Sequence, residues 1–226
     1  MTAVSPRVLA QRAFAEGVGT FGLVFAGTGA IIVNSVTDGA ITHVGVALTF
    51  GLIIFAMISA VGHVSGAHFN PAVTLAFALA GHFPLRHVLP YVAAQVGGGL
   101  LASLLLRTLF GTAANLGATL PRGPEWQSLV LEIVLTFFLM FVIVSVATDE
   151  RAVTRAAAFA IGGTVGLEAM FAGPISGASM NPARSLAPAL VGGVPQSLWL
   201  YLVGPVVGAL LGAWAYRLLT WNEDAQ

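Results

Sequence analysis

The chain has 226 residues, of which 57% are hydrophobic and 8% charged, and its formal net charge is zero. A soluble domain carries about 25% charged residues, so this chain has too little charge to wet a soluble surface and too much apolar content for disorder. All nine cations are arginines, scattered along the sequence, and there is no cysteine, which excludes a nucleic-acid footprint, disulfides, thiolate metal sites and cysteine nucleophiles.

What remains is a polytopic membrane protein. A spanning helix needs about 20 mostly apolar residues. The first such stretch is 13–33, which carries Glu16. It is too long and too glycine-rich for a signal-peptide core, so a retained helix is expected. The second is 43–62. A shorter apolar stretch, 71–80, opens on Pro71, and the third span follows at 88–110. The segment 111–127 contains Gly117, Pro121, Gly123 and Pro124 and reads as a linker. Beyond it come spans at 128–147, with Glu132, and 156–173. A second short stretch, 182–191, opens on Pro182, and a last span covers 198–219. None of these runs alternates as a β-barrel strand would. Each short stretch is about half a membrane thickness long. A proline suits a first helical position, where its missing N–H would be unpaired anyway. The expected fold is an all-α membrane protein with six transmembrane helices and two re-entrant half-helices.

The chain also repeats itself. Residues 62–72 read GHVSGAHFNPA and residues 173–183 read GPISGASMNPA, an offset of 111. Ala15-Glu16 with Thr20-Phe21 echoes Leu131-Glu132 with Thr136-Phe137. Each half, 1–110 and 128–226, therefore holds three spans and one half-helix. Three is odd, so the second half enters the membrane upside down. Such inverted repeats place their site at the midplane, on the repeat interface. With the N-terminus inside, Arg7, Arg12, Arg86, Arg151, Arg155 and Arg217 face the cytoplasm, and Arg107 and Arg122 face out. That distribution puts both termini in the cytoplasm.

Two Asn-Pro-Ala boxes, in SGAHFNPAVT and SGASMNPARS, open matched half-helices, and an arginine follows the second. In this the whole chain resembles the aquaporin/aquaglyceroporin (major intrinsic protein) family. The boxes are Asn70-Pro71-Ala72 and Asn181-Pro182-Ala183. Two half-helices entering from opposite faces would meet N-terminus to N-terminus, bringing positive dipole ends and unpaired N–H groups together. Asn70 and Asn181 stand at N-cap positions, where a side-chain oxygen accepts from the first helical N–H groups. Their amide N–H groups are then free to act as pore donors, and the paired positive ends repel cations and protons. The non-helical backbone before each box must be buried or line a water path. The carbonyls of Gly66, Ala67, His68 and Phe69, and of Gly177, Ala178, Ser179 and Met180, are the expected ladder of pore acceptors, as the resemblance also implies. Glu16 and Glu132 are carboxylates inside spans, costly there. Their matched positions suggest that each holds one re-entrant loop by accepting its N–H groups.

Arg184 brings a permanent guanidinium into the path. The resemblance makes it part of the family's selectivity filter, with Phe50, Ala169 and Ala178 at the other three positions. Strictly water-selective members usually carry histidine where this chain has Ala169. Two alanines imply a wide, half-apolar filter. Ser185 and Ala189 follow the second box as in water channels, whereas Tyr201-Leu202 departs from their Phe-Trp pair. The stretch FAGPISGASMNPARSLAPA is similar to nodulin-like intrinsic proteins of plants and their bacterial relatives. That group passes water, glycerol, urea and uncharged metalloid hydroxides. The function implied is a passive channel for water plus glycerol-like polyols or metalloid hydroxides such as arsenous acid, excluding ions and protons. A water-selective aquaporin is the alternative. A coupled transporter would need a carboxylate at the half-helix tips, and an enzyme a nucleophile–base pair. Neither is present in the sequence pattern.

Glu168, beside Ala169, has two readings: a pore carboxylate pairing with Arg184, or a hydrogen-bonded glutamate at a helix or subunit interface. His63, His68, His82 and His87 gather near the cytoplasmic side without a metal-ligand pattern, so no metal or cofactor is expected. His43 falls near the outer end of the second span. Trp199, Tyr201, Trp214, Tyr216 and Trp221 read as interface anchors. The resemblance implies a homotetramer in the lipid bilayer with one pore per protomer. The lysine-free, alanine- and glycine-rich chain points to a bacterial inner membrane.

Overall fold

The computed structural model describes residues 4–148 and 156–220. Arg151, Arg155 and Trp221, used above for topology and anchoring, lie outside the described residues. Among the described residues eight α-helices follow one another: α1 (Pro6–Val36), α2 (Thr42–Ser65), α3 (Pro71–Leu79), α4 (Val88–Phe110), α5 (Glu125–Ala147), α6 (Ala157–Ser176), α7 (Pro182–Gly192) and α8 (Leu198–Thr220). Six of the described helices are long and apolar enough to cross a membrane, α4 together with the 3-10 turn Leu85–His87 before it. The remaining two, α3 and α7, have 9 and 11 residues. This is an inverted repeat of six apolar helices long enough to span and two half-helices.

The helices run past the apolar stretches that announce them. α1 has 31 residues, about 46 Å at 1.5 Å per residue, against a hydrocarbon core of about 30 Å. Its start is fixed by Ser5, whose Oγ accepts from Val8 N, with Pro6 at the first helical position. α6 continues through Pro174 to Ser176, beyond the expected end at 173.

The stops and starts around the half-helices are matched. α2 ends at Gly66 (φ 90°) and α6 at Gly177 (φ 87°), both left-handed caps that glycine adopts without a Cβ penalty. α3 is capped by Asn70, which accepts from Ala72 N, and α7 by Asn181, which accepts from Ala183 N and Arg184 N. A proline opens each helix.

The packing follows the repeat. α1 packs along α4 as α5 packs along α8, and α2 and α6 pack against each other between the halves. The half-helices cross over: α3 lies against α8, and α7 against α4. The α2–α6 seam is built on glycine. A Cβ on Gly51 would sit 2.6 Å from the Gly162 carbonyl oxygen and 3.0 Å from Gly166 Cα, so only hydrogen at these positions allows the backbones this close. With six crossings the chain begins and ends on one membrane face, termed here the terminal face. Large apolar side chains such as Phe14, Leu89 and Phe159 point outward and are exposed, which suits lipid.

Candidate functional site

The two boxes meet at the centre of the molecule. Asn70 Nδ2 donates to the Met180 carbonyl at 2.7 Å, and Asn181 Nδ2 donates to the Phe69 carbonyl at 2.8 Å. Each cap amide thus spends one N–H on the opposite loop and keeps one. This corrects the expectation that both N–H groups stand free, and it leaves the carbonyls of Phe69 and Met180 already engaged. The helix starts at Asn70 and Asn181 are therefore tied to each other as well as aimed at each other.

The loops before the boxes are strained. Ala67 (φ 52°) and Phe69 (φ 49°) in the first, and Ala178 (φ 40°) and Met180 (φ 54°) in the second, are left-handed. Such residues cost roughly 1–3 kcal/mol each and persist only where surroundings over-determine them. The carboxylates provide that. Glu16 Oε1 accepts from Ser65 Oγ (2.7 Å) and His68 N (2.9 Å), and its Oε2 accepts from Phe69 N (2.6 Å) and Gln95 Nε2 (2.8 Å). Glu132 Oε1 accepts from Ser176 Oγ (2.8 Å) and Ser179 N (2.9 Å), and its Oε2 from Met180 N (2.8 Å). Both carboxylates are fully buried, so these bonds are what make burial tolerable.

A cavity of about 450 Å³ runs past both loops. It is lined by Phe50, Ala169, Ala178 and Arg184, by Asn70 and Asn181, and by His63 and Ala157. Gly66, Ala67, His68, Phe69, Ser179 and Met180 also line it. Gly177, Pro71, Ala72, Pro182 and Ala183 are not among the lining residues. Gly177 turns towards Thr119, whose Cγ2 would be 2.9 Å from an added Cβ. The four filter positions inferred from sequence are all among the residues that line this cavity.

Arg184 is 2% exposed. Its Nη1 donates to the Gly117 carbonyl at 2.9 Å, and its Cζ lies 5.0 Å from the Phe50 ring centroid, a cation–π distance. Its Nε is buried without a partner. Phe50 itself needs Gly27: a Cβ there would fall 2.2 Å from the phenyl ring. Glu168 is 3% exposed and absent from the cavity wall, its Oε2 has no partner, and no bond joins it to Arg184. The pore-carboxylate reading is not what the geometry gives.

Several residues escape a reading by sequence. Gln95 is fully buried and donates to Glu16 and to Thr74 Oγ1. Tyr91 OH donates to the Ser65 carbonyl (2.9 Å) and Tyr201 OH to that of Ser176 (2.6 Å). Tyr201 is thus fully buried and not an interface anchor, whereas Trp199 and Trp214 are exposed. The signal was available: the two tyrosines stand 110 residues apart, one short of the repeat. Thr119 donates to Ser185 Oγ (2.7 Å), which bonds Ser179 Oγ. Among the histidines, His68 contacts Thr74 Oγ1 through Nδ1 and packs against Phe77, Phe83 and Tyr91. His87 receives Arg86 Nε. Among the described residues no group of three metal-ligating side chains forms.

A family model described as "Major intrinsic protein" matches residues 3–216. The sequence is 56% identical over 214 residues to "Aquaporin NIP1-1" of Zea mays, covering 94% of this chain and 76% of the relative. It is 49% identical over 214 residues to "Nodulin-26" of Glycine max, covering 94% and 79%. Its fold is similar to the X-ray structure of the aquaglyceroporin from Plasmodium falciparum, with TM-score 0.82 and 25% identity, over 96% of this chain and all of that one.

Proposed function

This chain belongs to the major intrinsic protein family, whose members are membrane channels for small solutes rather than enzymes, and on that premise we propose a wide-filter pore. It passes water together with glycerol-like polyols or metalloid hydroxides such as arsenous acid, and turns back ions and protons. The observation that carries this reading is the pair of alanines, Ala169 and Ala178, lining the same cavity as Phe50 and Arg184. Two methyl groups leave width. The guanidinium offers donors to a hydroxyl, and the phenyl ring and methyls accept CH groups without desolvating a polar wall. Ion exclusion follows from the fixed charge of Arg184 and the two helix N-termini converging at Asn70 and Asn181.

In this reading Glu16 and Glu132 hold the loops. The carbonyls of Gly66, Ala67, His68 and Ser179 serve as acceptors, and 111–127 links the halves 1–110 and 128–226. The family resemblance supports a homotetramer, and the arginine distribution supports both termini on the cytoplasmic side. The relatives named above are plant proteins; placement in a bacterial inner membrane rests on composition alone.

Stopped-flow light scattering on proteoliposomes tests the proposal, with water, glycerol and arsenous acid gradients side by side. All three solutes are expected to move well above empty liposomes. Glycerol and arsenous acid at the empty-liposome level would make this a water-selective channel. Ala169→His fills the wall with a ring and is expected to lower glycerol flux relative to water by about tenfold, the discrimination a change of about 1.4 kcal/mol supports. Equal glycerol flux before and after would sink the wide-filter argument.

A further inference from the structure

Pro174 lies inside α6, two residues before its end at Ser176. A proline has no N–H, so the carbonyl four residues earlier, that of Met170, lacks its usual helical donor. That carbonyl is taken by His43, at the start of α2, whose Nε2–H donates to Met170 O at 2.7 Å. The carbonyl can only accept, so the hydrogen sits on Nε2. The imidazole also has a socket. A Cβ on Gly173 would be 2.9 Å from His43 Cε1, so glycine there lets the ring lie against the helix. The bond joins positions 127 apart in sequence.

The location gives this bond its meaning. α2 carries Phe50 and α6 carries Ala169, two of the filter walls. On the terminal-face side of the filter these helices are seamed at Gly51, Gly162 and Gly166. On the other side, α6 is weakened by Pro174 and ends one residue before the strained loop that carries Ala178. His43 spans the gap on that side. We propose that His43 is a positioning residue that sets the width of the filter by clamping the outer end of α6 to the start of α2. The inference rests on the wide-filter pathway proposed above and adds a residue that touches no permeating solute. Loop 113–124 also reaches this region, where Arg122 N donates to the Ile175 carbonyl, but it does not join α6 to α2.

His43→Phe keeps an aromatic ring and removes the donor; His43→Gln restores a donor. His43 is exposed, so both variants should fold, which far-UV circular dichroism in detergent checks. In proteoliposomes His43→Phe is expected to raise the glycerol-to-water permeability ratio by about two- to tenfold, the range that the net worth of one hydrogen bond spans. His43→Gln is expected to return the ratio towards that of the parent. Pro174→Ala supplies the missing N–H to Met170 O, so on that background His43→Phe should have little effect. An unchanged ratio in His43→Phe, or an equal effect on both backgrounds, overturns the proposal. Hydrogen exchange at residues 171–178 gives a readout independent of solute: His43→Phe should accelerate it and His43→Gln should not. If the parent passes water alone, the wide-filter reading falls, and exchange still decides the fate of the clamp.

Discussion

The two pore loops are near copies, and their differences show how one fold makes a symmetric scaffold and an asymmetric filter. In the first, Glu16 gathers four donors, one from Gln95. In the second, Glu132 gathers three, because the position 111 after Gln95 is Val206. What the second loop has instead is Arg184, where the first has Val73 at the same offset. The first loop's carboxylate thus gains a neutral amide donor, and the second half gains a cation that lines the cavity. Holding the backbone is common to both halves; discriminating among solutes falls to one.

The largest expected effect tests the common part. Replacing Glu132 by leucine strands two buried backbone N–H groups and a hydroxyl beside left-handed residues. Thermal unfolding in detergent should report a loss of about 3–5 kcal/mol. Glu16→Leu strands four donors and should cost at least as much. A loss below about 1 kcal/mol in either variant would mean that water satisfies the loop from the cavity side.

The next tests the asymmetry itself. Arg184→Val makes the second loop resemble the first and removes the one guanidinium on the described cavity wall. Cation leak through proteoliposomes is expected to rise about tenfold, as the loss of about 1.4 kcal/mol of electrostatic barrier would give. Unchanged leak would assign exclusion to the helix N-termini alone.

The smallest effect sharpens the comparison of the two carboxylates. Gln95 Oε1 is buried without a partner. If Gln95 flips, it can accept from a glutamine amide at position 16. Glu16→Gln should therefore be milder than Glu132→Gln by about 1 kcal/mol, a difference of a few degrees in Tm. Gln95→Leu should abolish that advantage; equal Tm values for the two glutamine variants would remove the role given to Gln95.

Much of this was legible because the chain is so apolar. A carboxylate or an asparagine-proline pair inside a span has to be accounted for, and the repeat doubles each such signal. Asn70, Asn181, Glu16 and Glu132 therefore stood out, and the half-helices fall at Pro71–Leu79 and Pro182–Gly192, close to where the prolines put them. Gln95 and Tyr201 did not stand out. Each sits on a helix whose rotation the weak periodicity of a mostly apolar span leaves open. The carbonyl that receives Arg184 belongs to Gly117, in a turn where Ala114, Asn115 and Leu116 are left-handed. Nothing in Ala-Ala-Asn-Leu announces such a turn. The engagement of both Asn amides across the midplane was equally hidden, since it depends on a distance between halves that neither half specifies.

That engagement has a consequence for biogenesis. The bond from Asn70 reaches Met180, 110 residues later in the chain, and the one from Asn181 reaches back to Phe69. A chain that stops in the linker lacks both partners, so these two groups would go unanswered at membrane depth. A half-synthesised channel is therefore an unsatisfied intermediate, and its pore loop cannot settle until the second half threads in against it. Truncation anywhere before residue 180 should yield a protein that membrane quality control recognises as unfinished.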